Sequence, residues 1–354
     1  MKPVRHCALL CCLALLAVYS CAVDLSVPSS SVDVPSVGKH RGVNFSSARF
    51  LSDTAFAPLL RNHVEWIALT PFGWQLRYNK PEIELRTTDV LWSESDEGLR
   101  QIAAAAHARG IKILLKPHIW LIEEVADQWR GTISFASEVE WQRWESDYRN
   151  FVLHYARLAA AADIEMLSIG VELHFPIRQR PAFWRSLIAE VRSVYAGQLT
   201  YGANWYREYE EVSFWDELDY IGIHAYFPLT QAMDASVADL EKGWEKHWQE
   251  IESLQRRHDK PVLFTEIGYR SVAGTAIAPW DWTVRLPLDM QEQVDAYEAL
   301  FRTFWDKPWF AGVYIWNWAP DHNRAGGTRD DQFSPQNKPA EAVLARWFGQ
   351  VEQL

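Results

Sequence analysis

The sequence predicts a single (β/α)8 barrel, and three observations lead there. Eight short apolar runs recur along the chain, amphipathic stretches of helical period separate them, and no glycine-rich phosphate loop follows the first run. That missing loop sets aside the competing open, doubly wound sheet, whose first strand ordinarily leads into one; here 42-GVNFSS-47 holds a single glycine. The 354 residues suffice for one large barrel or two ordinary domains. From residue 41 onward there is no second linker, low-complexity tract or sequence repeat, so 41–354 is read as one domain.

Residues 1–21 have the order of a secretory signal. Lys2 and Arg5 precede the apolar run 7-CALLCCLALLAV-18, and Tyr19, Ser20, Cys21 and Ala22 close it. The run is too short to span a membrane comfortably. Two processing readings stand open: ordinary cleavage among the small residues, or a lipobox-like 18-VYSC-21 whose Cys21 is lipidated and attaches the protein to a membrane. Either way the chain is expected to be exported, as a periplasmic, cell-surface or secreted protein. Loss of the segment removes two positive charges and no acidic ones, taking the net charge from −11 to −13. All four cysteines lie within it, so the remainder has no disulfide framework. Residues 22–40, rich in Ser, Pro and Val without helical period, read as a tether.

The expected barrel strands are 42–45, 66–69, 111–116, 166–172, 199–204, 219–224, 262–266 and 312–317. Helices are expected between them. Trp141, Trp144, Tyr148, Phe151, Tyr155 and Leu158 recur at three- and four-residue steps, as do Val237, Leu240, Trp244, Trp248 and Ile251, and Val294, Tyr297, Phe301 and Phe304. Segments 95–109, 181–194 and 339–349 fit the same period, while the link between the fifth and sixth strands is short.

Composition narrows the partners. With 46 Asp and Glu against 35 Lys and Arg, the chain lacks the basic excess that nucleic acid binding needs. Its 19 tryptophans suit broad aromatic surfaces for flat, partly apolar ligands such as sugar rings, although a Trp-rich core accounts for part of them.

In a barrel of this kind, functional side chains project from the C-terminal strand ends. Those ends carry Lys116, His118 and Trp120; Glu172; Asn204 and Trp205; His224 and Tyr226; Glu266; and Trp316 and Trp318. Two carboxylates on one rim suit glycoside hydrolysis, one as general acid and the other as nucleophile or base. Their pKa values must then differ, so that one carboxyl is protonated while the other is ionised. Singly, either glutamate could instead be a structural carboxylate paired with Arg270, Arg178 or Lys116. His174 and His224 come without HExxH or CxxC spacing, so no metal is expected, and no G-x-S-x-G elbow marks a serine hydrolase. No cofactor is expected.

The segments 113-ILLKPHIW-120, 168-SIGVEL-173, 201-YGANW-205, 219-DYIGIHAYFPL-229, 261-PVLFTEIGYRS-271 and 312-GVYIWNWAP-320 resemble glycoside hydrolase family 113, as does the tail 331-DQFSPQNKPAEAVLARWF-348. The resemblance covers roughly residues 41–349. It implies a clan A retaining glycosidase on a (β/α)8 barrel, usually an endo-β-1,4-mannanase; a β-linked polysaccharide or oligosaccharide is the expected partner, and a monomer the expected state. It assigns Glu172 as acid/base, Glu266 as nucleophile, Tyr226 as partner of the nucleophile and Trp316 as platform for the −1 sugar. Lys116, His118, Trp120, Asn204, Trp205, His224 and Trp318 would line the cleft. One position departs from the pattern: Val171 stands where clan A enzymes carry a hydrogen-bonding residue, often Asn, facing the sugar 2-hydroxyl. Other β-linked glucans or xylans therefore remain alternatives to mannan, and a catalytically inactive carbohydrate-binding barrel is the alternative to an enzyme.

Overall fold

Eight strands close on themselves in a computed structural model that describes residues 38–350 apart from residues 47, 53 and 124. The signal segment, Cys21 and residues 22–37 of the tether lie outside the described residues. In chain order the strands are β1 (His40–Phe45), β2 (Trp66–Leu69), β3 (Phe72–Gln75), β4 (Ile83–Leu85), β5 (Lys112–Leu115), β6 (His118–Leu121), β7 (Met166–Val171), β8 (Gln198–Asn204), β9 (Ile221–His224), β10 (Val262–Ile267) and β11 (Phe310–Trp318). The barrel runs β1-β2-β5-β7-β8-β9-β10-β11 and returns to β1, with every neighbouring pair parallel. All eight expected strands are staves of this barrel. Their ends differ by one or two residues, most at the eighth, expected at 312–317 and found at Phe310–Trp318. Parallel strands buried on both faces read as nearly unbroken apolar runs, which made them visible in sequence.

The helices are α1 (Ala57–Arg61), α2 (Asp96–His107), α3 (Glu138–Ala161), α4 (His174–Gln179), α5 (Pro181–Val194), α6 (Glu208–Glu211), α7 (Val237–His258), α8 (Met290–Phe304) and α9 (Pro339–Phe348). The long ones begin where the sequence supplies caps. Ser137 with Glu140 starts α3 and Ser236 with Asp239 starts α7, each pair exchanging side-chain and backbone hydrogen bonds. The short helices α1, α4 and α6 were not expected, because one turn carries too little apolar period to register. Nor was the three-stranded sheet β4-β3-β6. It sets Phe72 opposite His118 and Trp74 opposite Trp120.

Inside the barrel Trp66, Leu114, Met166, Tyr220, Leu263 and Tyr314 form their own apolar cluster. His40 stacks on Trp66 with ring centroids 4.0 Å apart, and its Nδ1 lies 3.0 Å from the Tyr314 hydroxyl. Burial, then nearby Lys112, lowers the His40 pKa to about 3, so the ring is neutral and Nδ1 accepts the phenol proton. These side chains plug the N-terminal end and leave polar chemistry to the other rim.

Outside the sheet, Trp244 on α7 is fully buried among Phe227, Phe264 and Phe304. Truncation to alanine leaves a cavity that three rings cannot refill, so W244A should lose about 3–5 kcal/mol of stability. Denaturant unfolding against the parent checks this; a loss below about 1 kcal/mol would mean that the site collapses and the packing account is wrong.

Candidate active site

The opposite rim is built from the strand ends upward. Lys116 follows β5 directly and has no solvent exposure. Its Nζ donates to Asn44 Oδ1 on β1 at 2.7 Å, to the Thr265 carbonyl at 3.2 Å and to Glu266 Oε1. Three acceptors match the three N–H groups of an ammonium. Burial pulls the Lys116 pKa below the usual lysine range, and the charge on Glu266 works against that. Asn44 is oriented in turn by its Nδ2, which donates to the Tyr314 carbonyl at 3.0 Å. Glu266 lies on β10 where the register with β9 shifts between Phe264 and Glu266, an irregularity that re-aims side chains. Its second oxygen accepts from the Tyr226 hydroxyl at 3.2 Å. Burial, reinforced by Glu266 and Glu172, holds the Tyr226 pKa well above the phenol range, so the phenol keeps its proton and acts as donor.

Glu172 is the first residue beyond β7 and adopts a left-handed φ of 51°, an unfavourable conformation for a side chain of its size. Its N–H is held by the Gly202 carbonyl at 2.8 Å. Oε1 accepts from Asn204 Nδ2 at 2.8 Å, and Oε2 from Arg130 Nη1 at 3.2 Å. Burial pushes this carboxyl up, but the pull of His224, Arg130 and Asn204 together is greater and holds it at about 2.

His224 stands between the two glutamates, with Nδ1 3.3 Å from Glu172 Oε1 and 3.5 Å from Glu266 Oε2. Those two oxygens are therefore no farther apart than the sum of the distances, 6.8 Å. Gly202 makes room for the imidazole, since a Cβ there would meet His224 Nε2 at 2.8 Å. His118 completes the group, with Nε2 3.8 Å from Glu266 Oε1 and Nδ1 3.4 Å from Arg130 Nη1. Burial first, then Lys116 and Arg130, push its pKa well below the usual value, and the ring is neutral.

The structure thus unites Glu172, Glu266, Tyr226, Lys116, His118, Asn204 and His224. Lys116 departs from its expected place along the ligand surface, because it is sealed beneath Glu266 with every donor committed. Of the structural pairings considered for the glutamates, only that with Lys116 is found; Arg178 pairs with Glu211, and Arg270 with Asp331. Trp316 is part-exposed, with Lys116 Nζ 5.9 Å from its ring. Trp205 follows Asn204 and stacks on the exposed Trp280 with centroids 4.7 Å apart. Trp120 is exposed on β6 of the small sheet rather than on a barrel strand, against Phe72 and Trp74. Trp318 is fully buried against His322 and presents no face to a ligand. Sequence reading missed Asn44, Arg130 and Glu208. Arg130 sits on a short 3-10 turn in a stretch without strand or helix period, and only its folded position beside Glu172 marks it. Among the described residues no group of three or more His, Cys, Asp and Glu side chains is arranged to hold a metal ion.

A parallel eight-stranded barrel with two glutamates this close on one rim defines a site of the glycosidase type. The chain belongs to glycoside hydrolase family 113, whose model matches residues 45–338. A solved family 113 β-1,4-mannanase complex is 26% identical, with 89% of this chain and all of that one covered and a TM-score of 0.77. The family 113 β-mannanase AaManA from Alicyclobacillus acidocaldarius, in complex with ManMIm, is 30% identical over 88% of this chain and 97% of its own, with a TM-score of 0.75. A β-glucuronidase from Ruminococcus gnavus, 14% identical with half of its chain covered and a TM-score of 0.56, shares the fold alone. Among curated proteins none matches.

The depressed Glu172 pKa has a consequence for stability. Its folded value, about 2, lies below that of an ordinary glutamate at about 4.3, so the ionised form favours folding. That contribution is complete above the unfolded pKa and is lost as pH falls from there toward about 2. The difference in denaturation midpoint between the parent and E172Q should therefore shrink between about pH 5 and pH 3. A difference that stays constant across this window would refute the low value.

Proposed function

We propose that the protein is a retaining β-mannanase that cleaves internal β-1,4 linkages by double displacement. Glu266 attacks the anomeric carbon, and Glu172 protonates the departing oxygen and then activates water. The observation that carries this reading is the separation of at most 6.8 Å between the two carboxylates. It accommodates the roughly 5–5.5 Å of retaining enzymes and reaches only the bottom of the inverting range of about 6.5–9.5 Å. The partners of each carboxylate support the division of labour. Glu266 faces a buried ammonium and a phenol that stabilise the charge a nucleophile needs. Glu172 lies beside Asn204, Arg130 and His224, polar groups able to tune a proton carrier.

Mannan as substrate rests on the two solved family members, which are named β-mannanases at 26% and 30% identity. Val171, buried at the end of β7, offers no hydrogen bond to a 2-hydroxyl, and this favours testing glucan and xylan beside mannan. The parent should release reducing sugar from mannan or glucomannan, with retained configuration in the first product seen by proton NMR. A fluorinated mechanism-based inhibitor should label Glu266. Replacing Glu172 by alanine should cut kcat/KM on polysaccharide by about 10²–10⁴, while azide should speed turnover of an activated aryl glycoside by intercepting its glycosyl-enzyme. Inverted product or label on another residue would overturn the assignment, and no hydrolysis of any β-glycan would favour the binding barrel.

We also propose export, on the basic, apolar and small-residue order of residues 2–22. Expression of the full chain in a bacterial host should yield protein whose N-terminus has been removed near residue 21, with or without lipid on Cys21. Uncleaved protein retained in the cytoplasm would refute export.

A further inference from the structure

We infer that Glu208 is a positioning residue for Glu172, acting on it through Asn204 and Tyr201. The inference rests on the reading of Glu172 as acid/base. Glu208 opens α6 and is fully buried. Among the described residues no Arg, Lys or His forms an ion pair with it. A buried carboxyl without a countercharge is held by hydrogen bonds, so the donors it meets define what it does.

Its two oxygens accept from two groups, and each group leads to Glu172. Oε2 accepts from the Asn204 N–H at 2.8 Å. The Asn204 side chain is fixed at its other end, because Oδ1 accepts from the Tyr206 N–H at 2.8 Å. That bond defines which end of the amide is oxygen, and it leaves Nδ2 to donate to Glu172 Oε1 at 2.8 Å. Oε1 of Glu208 accepts from the Tyr201 hydroxyl. The same hydroxyl accepts from the Leu173 N–H at 2.7 Å, immediately after the left-handed Glu172. One branch thus holds the Glu172 carboxylate and the other holds the backbone that aims it. Arg207, at φ 63°, turns the chain back so that Glu208 reaches under Asn204. Burial pushes the Glu208 pKa up to about 8, and the bonds from Tyr201 and Asn204 pull the other way. A glutamine of equal size carries one acceptor oxygen and an NH2, so it can serve only one of the two donors.

The test uses leaving-group dependence, which separates help to proton transfer from help to folding. kcat/KM reports the first chemical step. For an oligosaccharide that step needs the acid, whereas for a 2,4-dinitrophenyl glycoside of the same sugar the leaving group departs without a proton. E208Q should lower kcat/KM on the oligosaccharide by about 10–100-fold, part of the 10²–10⁴ that a positioned acid supplies, and leave the dinitrophenyl glycoside within about threefold. Y201F, which cuts one branch, should show the same split at smaller size and serves if E208Q fails to fold. In an N204A background the effect of E208Q should shrink, since one branch is already cut. Equal losses on both substrates, or no loss on either, would overturn the inference and leave Glu208 a loop brace. E172A is the control: if it lacks the same split, the acid/base reading fails, independently of Glu208.

Discussion

The ammonium of Lys116, buried without exposure and held by acceptors from β1 and β10, is the interaction on which the site depends. Two carboxylates within 6.8 Å of each other repel. At an effective dielectric near 20 the repulsion amounts to about 2–3 kcal/mol, before the larger cost of desolvating each charge. Lys116 offsets this for Glu266 from below, and Arg130 offsets it for Glu172 from the side. The barrel makes such pairing feasible because Lys116, Asn44 and Glu266 come from three staves, whose spacing the sheet fixes. The two orienting bonds of Asn44, to Tyr314 and Thr265 carbonyls, tie that arrangement to the wall itself.

The tryptophan excess divides along the same boundary. Trp144, Trp184, Trp215, Trp244 and Trp318 are fully buried and fill space between sheet and helices or behind the rim. Trp120, Trp129, Trp280 and Trp282 are exposed, and Trp280 stacks flat on Trp205 beside Asn204. Composition alone pointed to both uses without saying which indole served which. The alternation that buries a residue inside the barrel and the one that buries it under a helix look the same along a doubly covered strand. Trp318 was misplaced among the ligand-facing residues for that reason.

The staves and both glutamates were legible because they follow from one-dimensional rules: apolar runs bounded by amphipathic helices, with chemistry at the C-terminal strand ends. What lay beyond the sequence depends on closure. Lys116 sits at a strand end like Glu172, yet it points into acceptors from strands 72 and 150 residues away. Arg130 lies in a stretch with no period at all, and Glu208 on a single helical turn. Their relevance appears only once the loops after β6 and β8 are folded against Glu172.

The two halves of the site differ in how firmly they are built, and the proposed mechanism uses that difference. Around Glu266, Lys116 and Asn44 are locked by the barrel, and Tyr226 lies two residues beyond β9. Around Glu172, Asn204 and His224 come from strands β8 and β9, but Arg130 comes from a short turn and keeps about a quarter of its side chain exposed. With all three partners present the carboxyl is held at about 2, too acidic to carry a proton near neutrality. Asn204 and His224 are held on strands of the sheet, whereas Arg130 sits on a short 3-10 turn. On the proposed mechanism, a sugar seated between the glutamates would exclude water from Glu172, and desolvation raises the pKa of a carboxyl. The low value is then compatible with an acid that becomes competent as the cleft fills.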